Sequence, residues 1–248
     1  MLRAAFASLL SITPLAAQDP LFRGSLGISG GSYRFDSDLP GFDERANAGL
    51  FQVEFEAAAA NGYGGGFRFE NFTSDADDGL FRVAGDPLDR GTRASGSTFQ
   101  AHFTYLIRQH RFEMPLRAGL MLNGLVLEDQ GAPDPETAYG SFGPFAEIEP
   151  EITLSHYGTT TWSVYGLFGF GVTGTDIEVD GDPRDYRSDS GFLNVEVGTR
   201  VAFGHVELGL ALFGRYQSMD ASSVEDGQFL YGFDGGYEGV LLTAGVRF

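Results

Sequence analysis

Cysteine is missing from all 248 residues, which excludes a disulfide scaffold, a zinc–thiolate site and a thiol nucleophile. Lysine is missing as well: the 16 basic residues are all Arg, set against 34 acids for a net charge of −18. So acidic a chain offers no electrostatic footprint for nucleic acid, which is not an expected partner. No stretch approaches the ~18 uninterrupted apolar residues that a membrane-spanning helix requires. Tryptophan occurs once and proline 10 times, whereas Gly reaches 36, Phe 23 and Tyr 10. With 42% hydrophobic and 20% charged residues, the chain is too apolar for a disordered segment. Its Gly and aromatic content favours many short strands.

Residues 1–17 read as a secretory signal peptide. Arg3 supplies one positive charge, a largely apolar run follows from position 4 to 15, and Ala16-Ala17 offers small residues before a cleavage point. Residues 18–248 are then expected to form a single exported domain.

Period-two alternation dominates that domain. Val240, Leu242, Ala244, Val246 and Phe248 share one face, with Leu241, Thr243, Gly245 and Arg247 opposite. Leu208, Leu210 and Leu212 alternate in the same way with Glu207, Gly209 and Ala211. Such patterns are half-buried strands. Ten are read, near 21–34, 49–59, 64–74, 97–108, 112–127, 141–156, 160–176, 191–203, 205–217 and 237–248. Long polar links at 35–48, 75–96, 128–140, 177–190 and 218–236 alternate with short turns near Asn61-Gly62, 109–111, 157–159 and Gly204. Strict alternation of long and short links is the signature of an outer-membrane barrel with short turns on the periplasmic side. The expected fold is therefore all-β: a transmembrane up-and-down antiparallel β-barrel of ten strands, with eight or twelve as alternatives. An even count puts both termini in the periplasm.

Charge supports that reading. Asp lies outside the strand cores, whereas Glu and Arg occupy wall positions on the face opposite the apolar one. The inward set is Glu54, Glu56, Glu70, Glu113, Glu147, Glu149, Glu151, Glu196 and Glu207, with Arg23, Arg68, Arg108, Arg117, Arg200, Arg215 and Arg247. Buried charges persist only when paired, so a narrow barrel holding this near-balanced set is expected to be plugged by Glu–Arg pairs. Glu147, Glu149 and Glu151 form an acidic ladder for which Arg117, on the preceding strand, is the nearest base. A water-filled lumen would instead make the same ladder a narrow cation-preferring channel.

The alternating segment 239–248 and its terminal Phe248 resemble the assembly signal of bacterial outer-membrane β-barrel proteins. That resemblance implies insertion by the barrel-assembly machinery. It also implies outer-membrane lipid and lipopolysaccharide as surroundings, and a monomer is expected. Tyr105, Phe112, Tyr157, Trp162, Phe203 and Phe248 cluster near the short turns, as an aromatic girdle would.

An enzymatic role is tested on the same residues. A ten-stranded barrel of this size is similar to the omptin surface proteases, which use carboxylate pairs and a His near the extracellular rim. Here His110, His156 and His205 fall at short turns and His102 falls mid-wall facing inward, so that pattern is absent. A membrane-embedded hydrolase would need Ser and His adjacent in space. Ser155-His156 is the one tempting pair, yet strand neighbours point to opposite faces. No catalytic residue or cofactor is assigned. Asp75, Asp77 and Asp78, and Asp180, Asp182 and Asp185, are weak Ca²⁺ candidates, because neither loop completes a calcium-binding pattern. Both read more simply as a solvated acidic surface, with Arg184 and Arg187 pairing part of the second group. The expected role is structural or surface-interacting, through acidic loops.

Overall fold

The computed structural model describes residues 20–37, 43–74, 92–129, 136–179, 182–224 and 229–248. The regular elements among them are all strands: β1 (Leu21–Ser37), β2 (Asp43–Ala58), β3 (Tyr63–Ser74), β4 (Thr92–Gln109), β5 (Phe112–Asp129), β6 (Glu136–Ile148), β7 (Glu151–Tyr157), β8 (Thr160–Val179), β9 (Tyr186–Phe203), β10 (Val206–Met219) and β11 (Phe233–Arg247). The signal-peptide segment lies outside the described residues.

Strands adjacent in the chain pair antiparallel, except that β6 and β7 each pair with β5 and β8 and not with one another, and β1 pairs with both β2 and β11. The sheet thus closes on itself. β6 and β7 together make one stave between β5 and β8. Pro150 has no N–H, so the strand is interrupted there, but the ladder carries on. Glu149 donates its N–H to the Pro115 carbonyl at 3.1 Å, and Gly166 donates to the Pro150 carbonyl at 3.0 Å. Counted by staves, the wall is the ten-stranded barrel that alternation predicts. A bulge between Thr153 and Ser155 shifts the register of β7 against β8. The seam is tied at its end by reciprocal bonds, Phe22 N–H to Phe248 O at 3.0 Å and Phe248 N–H to Phe22 O at 2.9 Å.

The turns at one end are tight for a local reason. Three hairpins have two-residue loops, and the first residue of each has positive φ: His110 (51°), Gly158 (60°) and Gly204 (61°). This is the sign pattern of type II′ turns, whose twist matches that of the flanking strands.

Outward residues form an apolar belt. Leu26, Ile28, Phe103, Leu120, Leu122, Phe170, Val172, Leu212 and Leu242 are all more than half exposed. Along β8 the belt runs from Trp162 to Val172, which at ~3.3 Å per residue and a tilt near ~40° stands roughly 25 Å tall. That is the height of a hydrocarbon core crossed by strands. Near the tight turns Tyr63, Tyr157, Trp162, Phe203 and Phe248 stand exposed, with Tyr105 and Phe112 half-buried. Tyr63, whose ring lies 5.0 Å from that of Tyr105, joins the predicted girdle.

At the opposite end the strands outrun their predicted limits. β1 continues to Ser37, β8 to Val179 and β10 to Met219, while β2 begins at Asp43, β9 at Tyr186 and β11 at Phe233. Several segments expected as loops are therefore strand. Asp36, Asp176, Asp189 and Asp234 stand on strands, not beyond them, and all four are exposed. Above the belt the outer face meets water, so a carboxylate there costs nothing, and the sheet can continue.

Candidate functional site

The lumen is filled in tiers. All the Glu and Arg assigned to the inward face do face it, and each lies within ion-pair distance of an opposite charge. Nearest the tight turns, Glu113 lies 3.1 Å from Arg108 and 2.5 Å from Arg247. Glu151 is shared by Arg23 (3.1 Å), Arg200 (2.8 Å) and Arg247 (3.2 Å), and Glu207 lies 3.4 Å from Arg23. The middle tier centres on Arg117. Its Nη1 reaches Glu147 and Glu149, both at 2.7 Å, and its Nε and Nη2 reach Glu56 at 3.0 and 2.8 Å. Glu147 also binds Arg68 at 2.8 Å, Arg68 binds Glu54 at 3.2 Å, and Glu149 also binds Arg200 at 2.5 Å. Arg117 therefore serves two rungs of the acidic ladder and not the third. Glu151 takes its bases from β1, β9 and β11.

Above this, Arg215 holds Glu70 at 3.0 Å and Glu196 at 3.2 Å. Tyr165 donates its hydroxyl to Glu196, and Arg200 lies over the Tyr165 ring at 3.5 Å, linking this tier to those beneath. Planar guanidinium groups suit such a network because each can serve two carboxylates at fixed angles.

Sequence reasoning missed the top of the lumen. Tyr33, Phe35, Ala46, Leu50, Leu125, Leu127, Ile177, Met219, Phe233 and Tyr237 form one buried apolar cluster, and Phe72, Tyr139, Val179 and Leu230 pack against it. Phe35 and Phe233 stack at 4.7 Å, as do Tyr33 and Phe72 at 5.1 Å. Tyr237 donates to the Ala48 carbonyl at 3.2 Å, while its oxygen lies 2.7 Å from the Ser29 hydroxyl. A cavity of about 60 Å³ separates this cap from the charged tiers, lined by Glu70, Gln100, Asn123 and Arg215 below and by Tyr33, Phe72 and Tyr237 above. At roughly 10–15 Å³ per water it has room for about four to six waters.

The remaining candidates are dispersed. His102 is buried in the lumen with Nε2 3.8 Å from Glu56. His110, His156 and His205 ring the tight-turn end. His156 Nδ1 lies 3.0 Å from the Thr161 hydroxyl, and Ser155 is paired across the bulged ladder with Trp162, so these two form no dyad. Of the calcium candidates, Asp75, Asp77, Asp78 and Asp180 lie outside the described residues. Asp182 is held by Arg184 through Nε and Nη2, both at 2.6 Å, and by the Tyr186 hydroxyl at 3.0 Å. Those bonds hold its carboxyl down at about 2. Arg187 lies 3.2 Å from Asp176. Asp185 is exposed. No metal-holding group of three or more His, Asp or Glu occurs among the described residues.

No protein-family model matches the sequence, and no curated protein does. Solved structures do resemble the fold. The outer-membrane protease OmpT of Escherichia coli aligns with a TM-score of 0.50 at 10% identity, over 96% of this chain and 99% of that one. The translocator domain of the autotransporter NalP from Neisseria meningitidis aligns at 0.39 and 9% identity, over 99% and 92%. The attachment invasion locus protein Ail of Yersinia pestis aligns at 0.30 and 14% identity, over 91% and 98%. The class is clear: this chain has the fold of the bacterial outer-membrane β-barrels. At such identities the likeness reaches the fold and stops there.

Proposed function

We propose that this protein is a non-enzymatic, non-conducting barrel of the bacterial outer membrane, with its termini and tight turns in the periplasm and its acidic long-loop end at the surface. The observation that carries this reading is the filled lumen, in which paired Glu and Arg are overlain by an apolar cap. Water-filled transport needs a continuous polar path, and two different kinds of obstruction lie in series here. A dry apolar layer resists ions by dewetting, and in the layer beneath it each Glu and Arg already has an oppositely charged partner. The barrel then serves as a post that displays its long-loop end for structural or surface contacts. Outer-membrane lipid and lipopolysaccharide surround it in this reading, and the barrel-assembly machinery inserts it as a monomer.

Two measurements test it. The protein should fractionate with outer membranes and change gel mobility on boiling. Proteoliposomes containing it should swell in small sugars and salts no faster than empty vesicles. Swelling would favour the narrow cation-preferring channel, for which the acidic ladder is the supporting feature.

The fold shared with OmpT leaves a membrane-embedded hydrolase as the other reading. The histidines argue the other way, since one is buried beside Glu56 and three stand at the tight-turn end. A base at the long-loop end would have to be something other than His. Peptide or ester hydrolysis by the refolded protein would reverse this reading.

A further inference from the structure

The tight-turn end opens into a recess of about 500 Å³. Its floor is the lowest tier of the charge network, and that floor is neutral by pairing. Glu113 is matched by Arg108 and Arg247, and Glu207 by Arg23 and Arg247. The rim differs from the floor. Turn residues 59–62, 109–111, 157–159 and 204–205 include no carboxylate. They supply His110, Arg111 and His205, and His156 adjoins them. On a chain of net charge −18, three of the 4 His and an Arg outside the lumen network thus gather around one mouth. Arg111 is exposed and makes no ion pair among the described residues.

Local bonding aims these groups. His205 Nδ1 lies 3.2 Å from the Arg247 carbonyl, which can only accept, so Nδ1 carries a proton, and an anion is met by Nε2–H of the imidazolium form. Phe248 stacks on the His205 ring at 4.6 Å and holds its plane. His156 Nδ1 lies 3.0 Å from the Thr161 hydroxyl, which can donate to it and leave the ring proton on Nε2.

We propose that this recess binds a phosphate group, either free or carried as a lipid headgroup. A phosphate spreads its charge over several oxygens, so it can take Arg111 bidentately and still offer oxygens to the imidazoles, whereas a halide reaches only donors that crowd one centre. The neutral floor adds no repulsion. The volume exceeds one phosphate and lies within the range of small-molecule sites, leaving space for whatever the phosphate is attached to.

The four histidines make the test. Ring-labelled His in the refolded full chain, in a non-ionic detergent, is followed by NMR while inorganic phosphate or short-chain phosphatidylglycerol is added. Signals of His110, His156 and His205 should move saturably while His102, shut inside the lumen, stays still. Arg111→Gln should weaken binding by about two- to fivefold, the range of a solvent-exposed charge contact. Adding His205→Asn should weaken it further. Saturation with phosphate itself supports a site for the free anion, and saturation with the lipid alone supports a headgroup site. Non-saturating shifts, or equal shifts from sodium chloride at matched ionic strength, overturn the proposal in the wild type without any variant. Unchanged affinity in a double variant with wild-type heat-modifiable mobility overturns it as well.

Discussion

Replacing Arg117 with Ala probes the plug at its most connected point. The side chain is 1% exposed, and the carboxylates it hydrogen-bonds, Glu56, Glu147 and Glu149, are 0%, 1% and 1% exposed. The loss falls unequally on those three. Glu147 keeps Arg68 at 2.8 Å, and Glu149 keeps Arg200 at 2.5 Å. Glu56 keeps only the Thr104 hydroxyl at 2.7 Å and the His102 ring nitrogen at 3.8 Å, and loses its one guanidinium. The variant thus strands one buried carboxylate, for which the expected destabilisation is ~3–5 kcal/mol. Denaturant unfolding in micelles, followed by fluorescence of the single Trp, measures it. Arg117→Ala/Glu56→Gln removes the stranded charge and should recover much of the loss, giving a coupling energy well above the error of additivity. A loss of ~1 kcal/mol or less in the single variant is what a wet, screened lumen would give, and it would refute the argument.

Other expectations are as specific. A Cβ on inward-facing Gly119 would lie 1.9 Å from the Ala101 carbonyl oxygen, whereas one on outward-facing Gly140 meets nothing within 4 Å. Gly119→Ala should therefore lower stability by ~1–3 kcal/mol and Gly140→Ala should leave it nearly unchanged, as read by the same unfolding curves. The carboxyl of Asp182 should titrate near pH 2 by carbon NMR. Because its hydrogen bonds to Arg184 lower that midpoint, their contribution is present above the ordinary carboxylate range and lost as pH falls through about 2; Arg184→Ala should move the midpoint upward. A protease site placed at Pro183 should be cut on intact cells and one at Gly158 should not, and the reverse result would invert the proposed orientation.

The wall was legible in the sequence because a bilayer imposes a simple rule. Outward residues at the level of hydrocarbon must be apolar, so Leu208, Leu210 and Leu212 announce their face, and Glu207 must then lie on the other. Arg and Glu at those second positions disclosed the charged lumen, although which carboxylate meets which guanidinium depends on barrel shear and could not be read locally. The apolar cap escaped notice because the pattern changes phase. On β5 the apolar residues are outward at Leu120 and Leu122, then inward at Leu125 and Leu127. On β8 they are outward at Phe170 and Val172, then inward at Ile177. A one-residue slip in parity looks like the end of a strand when only one face is followed. It marks the level at which water replaces lipid outside and the sheet begins to bury its other side. The recess was invisible for a different reason: His110, His156 and His205 are far apart in the chain and meet only because all the tight turns share one end.

Single-channel recording of the refolded wild-type protein in planar bilayers bears most directly on the proposal that the lumen is sealed. The filled interior predicts a silent barrel across salts and voltages, with Arg117→Ala weakening the fold before it opens any path. Steady cation-preferring conductance in the wild type, with Arg117→Ala equally stable and more cation-selective, would contradict the plug and make the protein a pore.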